Sequence, residues 1–239
     1  ENAIADGPEI LDYVRETARK FGIDQHIRFK HRVVRANWSS EEARWLVDSE
    51  HEGARTQFKC KFLLMASGYY DYADGYLPAF KGVESFKGQI VHPQHWPEKL
   101  DYAGKRVVVI GSGATAVTLV PSMTDKAAHV VMLQRSPTYM ASLPRRNPIA
   151  NWLRGALPTR VAYDIVRAMQ IALSKYFFDV ARNRPEPTKR RLLGMIRQQL
   201  PDYDIEKHLT PRYNPWEQRL CLVPDNDMFA AIREGKASI

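Results

Sequence analysis

The sequence predicts an α/β protein, and three observations predict it. A short run of mostly β-branched residues, Arg106–Ile110, leads straight into the turn Gly111-Ser112-Gly113-Ala114-Thr115-Ala116 and then into an apolar helical pattern reaching about Met123. A second strand pattern, His129–Gln134, comes next. Short alternating segments separated by turns lie ahead of this unit, and three helical patterns lie behind it. Together they predict a Rossmann-type dinucleotide-binding domain with a helical insertion, plus part of a second domain that contains a small antiparallel β meander.

The chain begins with a helix that Pro8 opens and Gly22 ends, with Ile10, Leu11, Val14 and Ala18 at helical spacing. The meander follows as Ile27–Phe29, Val33–Trp38, Ala43–Asp48 and Thr56–Lys61, with Ser39-Ser40 and Glu52-Gly53 as turns. The run Phe62–Met65 into Ala66-Ser67-Gly68 is apolar and continuous, which predicts a strand returning to a parallel sheet. Residues 69–97 are rich in Pro and Gly and form a linker.

The glycine turn fits G-x-G-x-x-[GA]. The first glycine permits the tight turn, the second lets backbone approach a diphosphate, and the small Ala116 lets helix pack on strand. The strand before it is expected to be buried on both faces. The helix N-terminus offers unpaired N–H groups and partial positive charge to phosphates. An NAD site would place Asp or Glu at the end of the second strand. Here Gln134-Arg135-Ser136 stands there, and an arginine without a carboxylate suits the 2′-phosphate of NADP.

After Arg135 the pattern turns helical over Pro148–Leu157, Pro158–Val180 and Lys189–Leu200. Ile165, Met169, Ala172, Leu173, Tyr176, Phe177 and Val180 share one stripe of the middle helix. The segment Pro201–Pro224 reads as an irregular loop rich in aromatic and polar groups, a kind of loop that often carries function. A helix over Asp227–Glu234 and the start of a strand at Ala237 complete the chain. Position 1 is Glu, and the chain is expected to be an internal piece of a longer protein.

Composition narrows the function classes. The 239 residues are 44% hydrophobic, enough for a sizeable core, and no apolar run nears the roughly 20 residues that span a bilayer. Cys60 and Cys221 are far apart, which argues against a disulfide framework or zinc site and makes a reducing cytoplasm the default. His92 and His95 find no third ligand at sensible spacing, so no metal is expected. The net charge is +8, and residues 145–197 hold 12 Lys/Arg against Asp164, Asp179 and Glu186. Such a stretch is most simply a solvated helical face. A peripheral contact with the inner face of the cell membrane or attraction for an anionic cofactor is the alternative, and no nucleic-acid partner is assigned.

One more motif lies just ahead of the glycine turn. Phe86, Gly88, His92, Trp96 and Pro97 match F-x-G-x-x-x-H-x-x-x-W-[PD] without a gap. This resembles the fingerprint of the Baeyer–Villiger monooxygenases, class B flavoprotein monooxygenases. The wider texture is similar to their ethionamide-activating branch, through Ala66–Tyr70, His92–Glu98, Gln134–Tyr139 and Tyr213–Pro224.

The resemblance implies an FAD domain with an NADPH domain inserted into it. On that template residues 1–97 are a partial FAD-binding domain and linker, and residues 98–239 are the NADPH-binding domain with its helical insertion at about 145–205. It implies the cofactors FAD and NADPH, and O2 as co-substrate. A C4a-peroxyflavin then inserts one oxygen atom into a ketone or adds it to sulfur. The family's arginine, which stabilises peroxide and oxyanion, falls on Arg219. Gln218 takes the neighbouring cofactor-binding position, where many members have lysine; that departure shifts the 2′-phosphate role toward Arg135, with Ser136 beside it as a further cofactor-binding residue. Gly111, Ser112, Gly113, Ala114, Thr115 and Ala116 would bind the nucleotide, and His92 reads as a linker residue. An N- or S-oxygenating flavin monooxygenase is the near variant. A non-catalytic NADP-binding or basic membrane-associating module is the alternative from another class. A chain of this length is expected to be inactive by itself.

Overall fold

The computed structural model describes residues 4–239. The chain divides into two compact units, Gly7–Leu100 and Asp101–Ile239, the second taking in the described residues ahead of Gly7.

In the first unit, α1 (Gly7–Lys20) carries Glu9 in its first turn and Arg19 and Lys20 in its last, matching the helix dipole. Gly22, at φ 63°, ends it, with Gly22 N–H donating to Arg19 and Ile23 N–H to Ala18. Three antiparallel strands follow: β1 (Arg32–Ser39), β2 (Arg44–His51) and β3 (Ala54–Cys60), in the order β1-β2-β3. The β2–β3 turn is Glu52-Gly53, at φ 49° and 83°. Two successive left-handed residues give the twist that a two-residue hairpin needs. Trp38 pairs with Trp45 across β1 and β2, ring edge to ring face, with centroids 5.8 Å apart.

Two expected strands of this unit do not form. Ile27–Phe29 follows a single 3-10 turn (Asp24–His26) as irregular chain. Phe62–Met65 is irregular too, with Phe62 78% and Met65 74% exposed. A strand needs a neighbour to take its N–H and C=O groups, and no described strand lies beside either segment. Residues 61–100 contain only the 3-10 turns Val83–Ser85 and Pro93–His95.

The second unit is built on β4 (Arg106–Ile110), α2 (Ala114–Met123) and β5 (His129–Leu133). β4 and β5 run parallel, Arg106 opposite His129 and Ile110 opposite Leu133. After β6 (Tyr139–Leu143) come α3 (Pro148–Ala156), α4 (Thr159–Asn183), α5 (Pro185–Gln199), α6 (Ile205–His208), β7 (Leu220–Pro224), α7 (Asp227–Arg233) and β8 (Ala237–Ser238). β8 joins the other edge of β5, in parallel, giving the order β4-β5-β8. β6 and β7 form a separate parallel pair, Tyr139 opposite Leu220 and Leu143 opposite Pro224.

One core cluster ties these elements together. It takes Val117 and Val120 from α2, Val130 and Met132 from β5, Met140 from β6, Ile196 from α5, Val223 from β7, and Met228 and Phe229 from α7. The helices of this cluster cover β4 through Val107 and Val109. Val108 and Ile110 point the other way and are 58% and 59% exposed, so β4 is covered on one face and not on two.

Three further differences have local causes. α5 begins at Pro185, four residues earlier than expected. Pro185 and Pro187 sit in the first turn, where N–H groups have no intrahelical partner, so they start the helix and do not break it. Tyr139–Leu143 is a strand although its Met, Ala and Leu favour helix. The loop expected over Pro201–Pro224 contains α6 and ends in β7. β6 and β7 become strands through each other, across a long crossover. The helical insertion is otherwise as expected: Asn147 caps α3 by accepting from Ala150 N–H at 3.1 Å, with Pro148 at the first helical position.

Candidate functional site

The glycine turn lies at the carboxyl end of β4, where ligands of open parallel sheets bind. Gly111 has φ 144°, a left-handed region favouring glycine, and its N–H donates to Leu133 C=O at 2.8 Å. This bond ties the turn to the end of β5. Gly113 is the N-cap of α2 in an extended conformation, and its carbonyl accepts from Val117 N–H at 3.0 Å. No side chain caps α2. Ala114 and Thr115 are exposed, while Ala116 is buried against the sheet. The first turn of α2 thus presents backbone N–H groups on an accessible surface, an arrangement that suits an anion.

Arg219 is brought to this turn from the far side of the insertion. Its Nη1 fills the space that a Cβ on Gly113 would occupy, and its Cζ lies 3.6 Å from that position. The residue stands immediately before β7, and its main chain is pinned there. The Arg219 carbonyl accepts from Tyr213 Oη at 3.1 Å and from Thr138 Oγ1 at 3.4 Å. Thr138 and Tyr213 hydroxyls are 3.0 Å apart, and the Tyr139 hydroxyl donates to Tyr213 C=O at 2.7 Å. Tyr139 is fully buried, and burial first, then the charges of Tyr213, Glu186 and Glu217, push its hydroxyl up to about 12. Burial likewise raises the Cys221 thiol, against the Thr138 hydrogen bond and the Arg219 charge. The turn before Arg219 closes through Glu217, whose carboxylate accepts from Asn214 N–H (2.8 Å) and Nδ2 (2.9 Å). Those bonds hold Glu217 below its usual range.

Arg135 and Ser136 lie just past β5 and are exposed. Gln134, before them, donates to His208 C=O at 2.6 Å and so fixes the departure of the chain from the sheet. Gln218 is exposed beside Arg219. The structure therefore gathers Gly111–Ala116 and Arg219 into one constellation, with Arg135 at the end of the strand next to β4. Thr138, Tyr139, Tyr213 and Gln134 are the supporting residues that sequence reasoning missed as a group. Two open cavities, each of about 400 Å3, sit instead at the β6–β7 end by Pro144 and Asp225.

The F-x-G-x-x-x-H-x-x-x-W-P segment belongs to the first unit. The His92 ring fills the space beside Gly75, its Nε2 lying 2.7 Å from where a Cβ would stand. His92 Nδ1 accepts from Gln94 N–H at 3.3 Å and caps the Pro93–His95 turn. Gln94 Nε2 donates to Asp71 C=O at 2.6 Å. Phe86 folds its ring over Gly88. Trp96 is exposed and Pro97 half-buried.

The pattern of the family described as "Flavin-binding monooxygenase-like" matches residues 3–181. The chain belongs to this family. Within the curated proteins it is similar to the FAD-containing monooxygenase EthA of Mycobacterium tuberculosis, 52% identical over 239 residues, covering 99% of this chain and 49% of EthA. It is also similar to the probable FAD-binding monooxygenase AlmA of Acinetobacter baylyi, 44% identical over 240 residues, covering 100% of this chain and 48% of AlmA. The chain thus spans about half the length of these flavin-binding monooxygenase-like relatives. Among solved structures it shares the fold of OTEMO crystallised with FAD and NADP, with a TM-score of 0.75 and 22% identity over 100% of this chain and 52% of that one. A steroid monooxygenase bound to NADP gives a TM-score of 0.73 at 21% identity, over 100% of this chain and 51% of that one.

Proposed function

We propose that this chain is the nucleotide-handling part of an NADPH- and O2-dependent flavoprotein monooxygenase that inserts oxygen into ketones or adds it to sulfur. The observation that carries the reading is the joint placement of Arg219 and the glycine turn: a permanent cation stands against the backbone of the second glycine, beside uncapped helix amides. Family membership and the names of the relatives support the cofactor pair FAD and NADPH. On this reading residues 1–97 belong to the FAD-binding domain and linker, and residues 98–239 form the NADPH domain.

The residues present fit NADPH. The amides of Ala114, Thr115 and Ala116 would hold the diphosphate, and Gly113 would let it approach. Arg135 and Ser136 would hold the 2′-phosphate, with Gln218 near the same cofactor. Bound FAD would supply the oxygen activation. Arg219 would act as the catalytic cation that favours negative charge on oxygen, since a guanidinium stays charged and offers several donors. The hydroxyls of Thr138 and Tyr213 hold its main chain, so only the side chain is free to adjust. His92 acts as a linker residue through its seat on Gly75. We place the protein in the cytoplasm.

The test is calorimetric titration of the chain with NADP⁺ and NAD⁺, repeated on Arg135→Ala. NADP⁺ binding that weakens in the variant while NAD⁺ binding holds supports the reading. A folded chain that binds neither nucleotide refutes it. A peripheral membrane contact is a second reading, favoured by Ile171, Leu173 and Tyr176, which stand exposed on α4 within the basic stretch. No described helix is long and apolar enough to cross a membrane. Pelleting with anionic vesicles that vanishes at high salt supports the contact, and no pelleting at low salt rejects it.

A further inference from the structure

One residue of the turn ahead of Arg219 stands in backbone that its type avoids. Trp216 has φ 67°, the left-handed region that bulky side chains rarely enter. The Glu217 N–H donates to Asn214 C=O at 3.1 Å, so Pro215 and Trp216 are the two central residues of a tight turn. A positive φ at the second central position, after a proline, is the pattern of a type II turn, and glycine ordinarily fills it. Here the position holds a tryptophan. A bulky residue stays in such backbone only where its surroundings hold it, and held strain of this kind gathers at working sites.

The hold comes from the helical insertion. The Trp216 indole meets two rings near the end of α4 at steep angles, with centroids 6.5 Å from Phe177 and 6.0 Å from Phe178. A second tie lies beside it. Asn214 first, and then the charge of Arg182 on α4, hold the Glu217 carboxylate below its usual range. Phe178 and Arg182 are four apart, so one face of α4 serves both. The turn is thus fixed at two places: α4 holds Trp216 and Glu217, while Tyr213 and Thr138 hold the exit to β7. Arg219 stands three residues past Trp216, with its guanidinium resting on Gly113.

We propose that Trp216 is a positioning residue for Arg219: its indole, docked on Phe177 and Phe178, sets the turn from which the guanidinium reaches Gly113. This rests on the reading of Arg219 as the cation of the reaction and deepens it. The insertion then governs where that cation stands without touching the reacting atoms. Trp216 and Phe178 are 43% and 47% exposed and lie outside the core cluster, so truncating either leaves the core intact.

Proton–nitrogen correlation spectra of the 239-residue chain read the seat directly, through the Gly113 amide and the Arg219 Nε–H. Arg219→Ala supplies the Gly113 signal of an empty seat. Trp216→Ala, Trp216→Gly and Phe178→Ala should each shift the Gly113 amide toward that signal and bring the Arg219 Nε–H to the position of a freely moving arginine. Trp216→Phe keeps a ring for α4 and should hold the wild-type signals. Glycine takes φ 67° freely, so Trp216→Gly separates the ring from the backbone twist. Wild-type Gly113 and Arg219 signals in folded Trp216→Ala overturn the inference, whatever that variant's melting temperature, and leave Trp216 a packing residue. An occupied seat in Trp216→Gly beside an empty one in Trp216→Ala overturns it too, because the twist and not the ring would then place the arginine. The seat is read with no nucleotide present. Calorimetric titration of the same wild type with NADP⁺ tests the underlying reading, and a folded chain that binds none overturns that reading by a separate measurement.

Discussion

Gly113→Ala separates the cost of a substitution to folding from its cost to binding. Gly113 has φ −86° and ψ −176°, backbone that alanine adopts without strain. The new methyl collides with Arg219 Nη1, the far end of an exposed, flexible side chain that can swing away. Alanine is a poorer N-cap than glycine by about 0.5–1 kcal/mol. For a chain of this size that lowers the thermal midpoint by only about 1–4 °C. Binding suffers more. The methyl occupies the approach of a phosphate to the α2 amides, and losing one hydrogen bond to a charged group is worth about 1.5–3 kcal/mol. Affinity for NADP⁺ and NAD⁺ should fall by about 10- to 150-fold. Gly111→Ala is the contrast: at φ 144° alanine is strained, which costs about 1–3 kcal/mol of stability. Thermal unfolding followed by calorimetric titration reads both quantities. A Gly113→Ala chain that binds NADP⁺ within twofold of wild type would refute the reasoning, because the ledge would then hold nothing.

Other outcomes follow from the same network and core. Tyr139→Phe leaves Tyr213 C=O without its buried donor and should cost about 1–2 kcal/mol, measured by urea unfolding. The folded Tyr139 hydroxyl titrates near 12, above its ordinary value of 10.0, so the protonated form is favoured by folding. Its stabilisation is complete below about pH 10 and lost as pH rises toward 12. Stability measured across that window should decline less steeply in Tyr139→Phe than in wild type. Phe229→Ala empties a fully buried site in the core cluster and should cost about 3–5 kcal/mol. A loss under about 1 kcal/mol in the same unfolding assay would contradict this core.

The parts of the fold legible in the sequence are those whose cause is local. Glu52-Gly53 announces a hairpin because two left-handed residues are needed there. Gly111 to Ala116 announces a strand–turn–helix because each small residue has its own steric reason. The start of α5 at Pro185 is hard to read, because a proline is a breaker inside a helix and a starter at its first turn. β6 and β7 were hidden because each is made a strand by the other, Tyr139 by Leu220 and Leu143 by Pro224. Phe62–Met65 looked like a strand on its apolar run alone, yet strand formation depends on a partner. The site divides the same way. The cradle could be read from spacing; the seat of Arg219 on Gly113 could not, because 106 positions separate them and only the crossover brings them together. Thr138, Tyr139 and Tyr213 stand in segments that carry the family resemblance, but their shared network was not legible, since hydroxyl residues are common and their meaning lies in who accepts from whom.

The parallel pairing of β6 with β7 also bears on how freely this protein can change. The connection between them is residues 144–219, most of it the α3–α5 insertion. The entropy needed to bring the ends of a connection together grows only with the logarithm of its length, so doubling it costs about 0.6 kcal/mol. The insertion can therefore lengthen, shorten or exchange its outer surface at little thermodynamic cost. The register at its exit has no such latitude. A slip of one residue at Leu220 would carry the preceding arginine away from the glycine ledge and turn the alternate side chains of β7 out of the core. Variation is cheap along the crossover and expensive at its last residue.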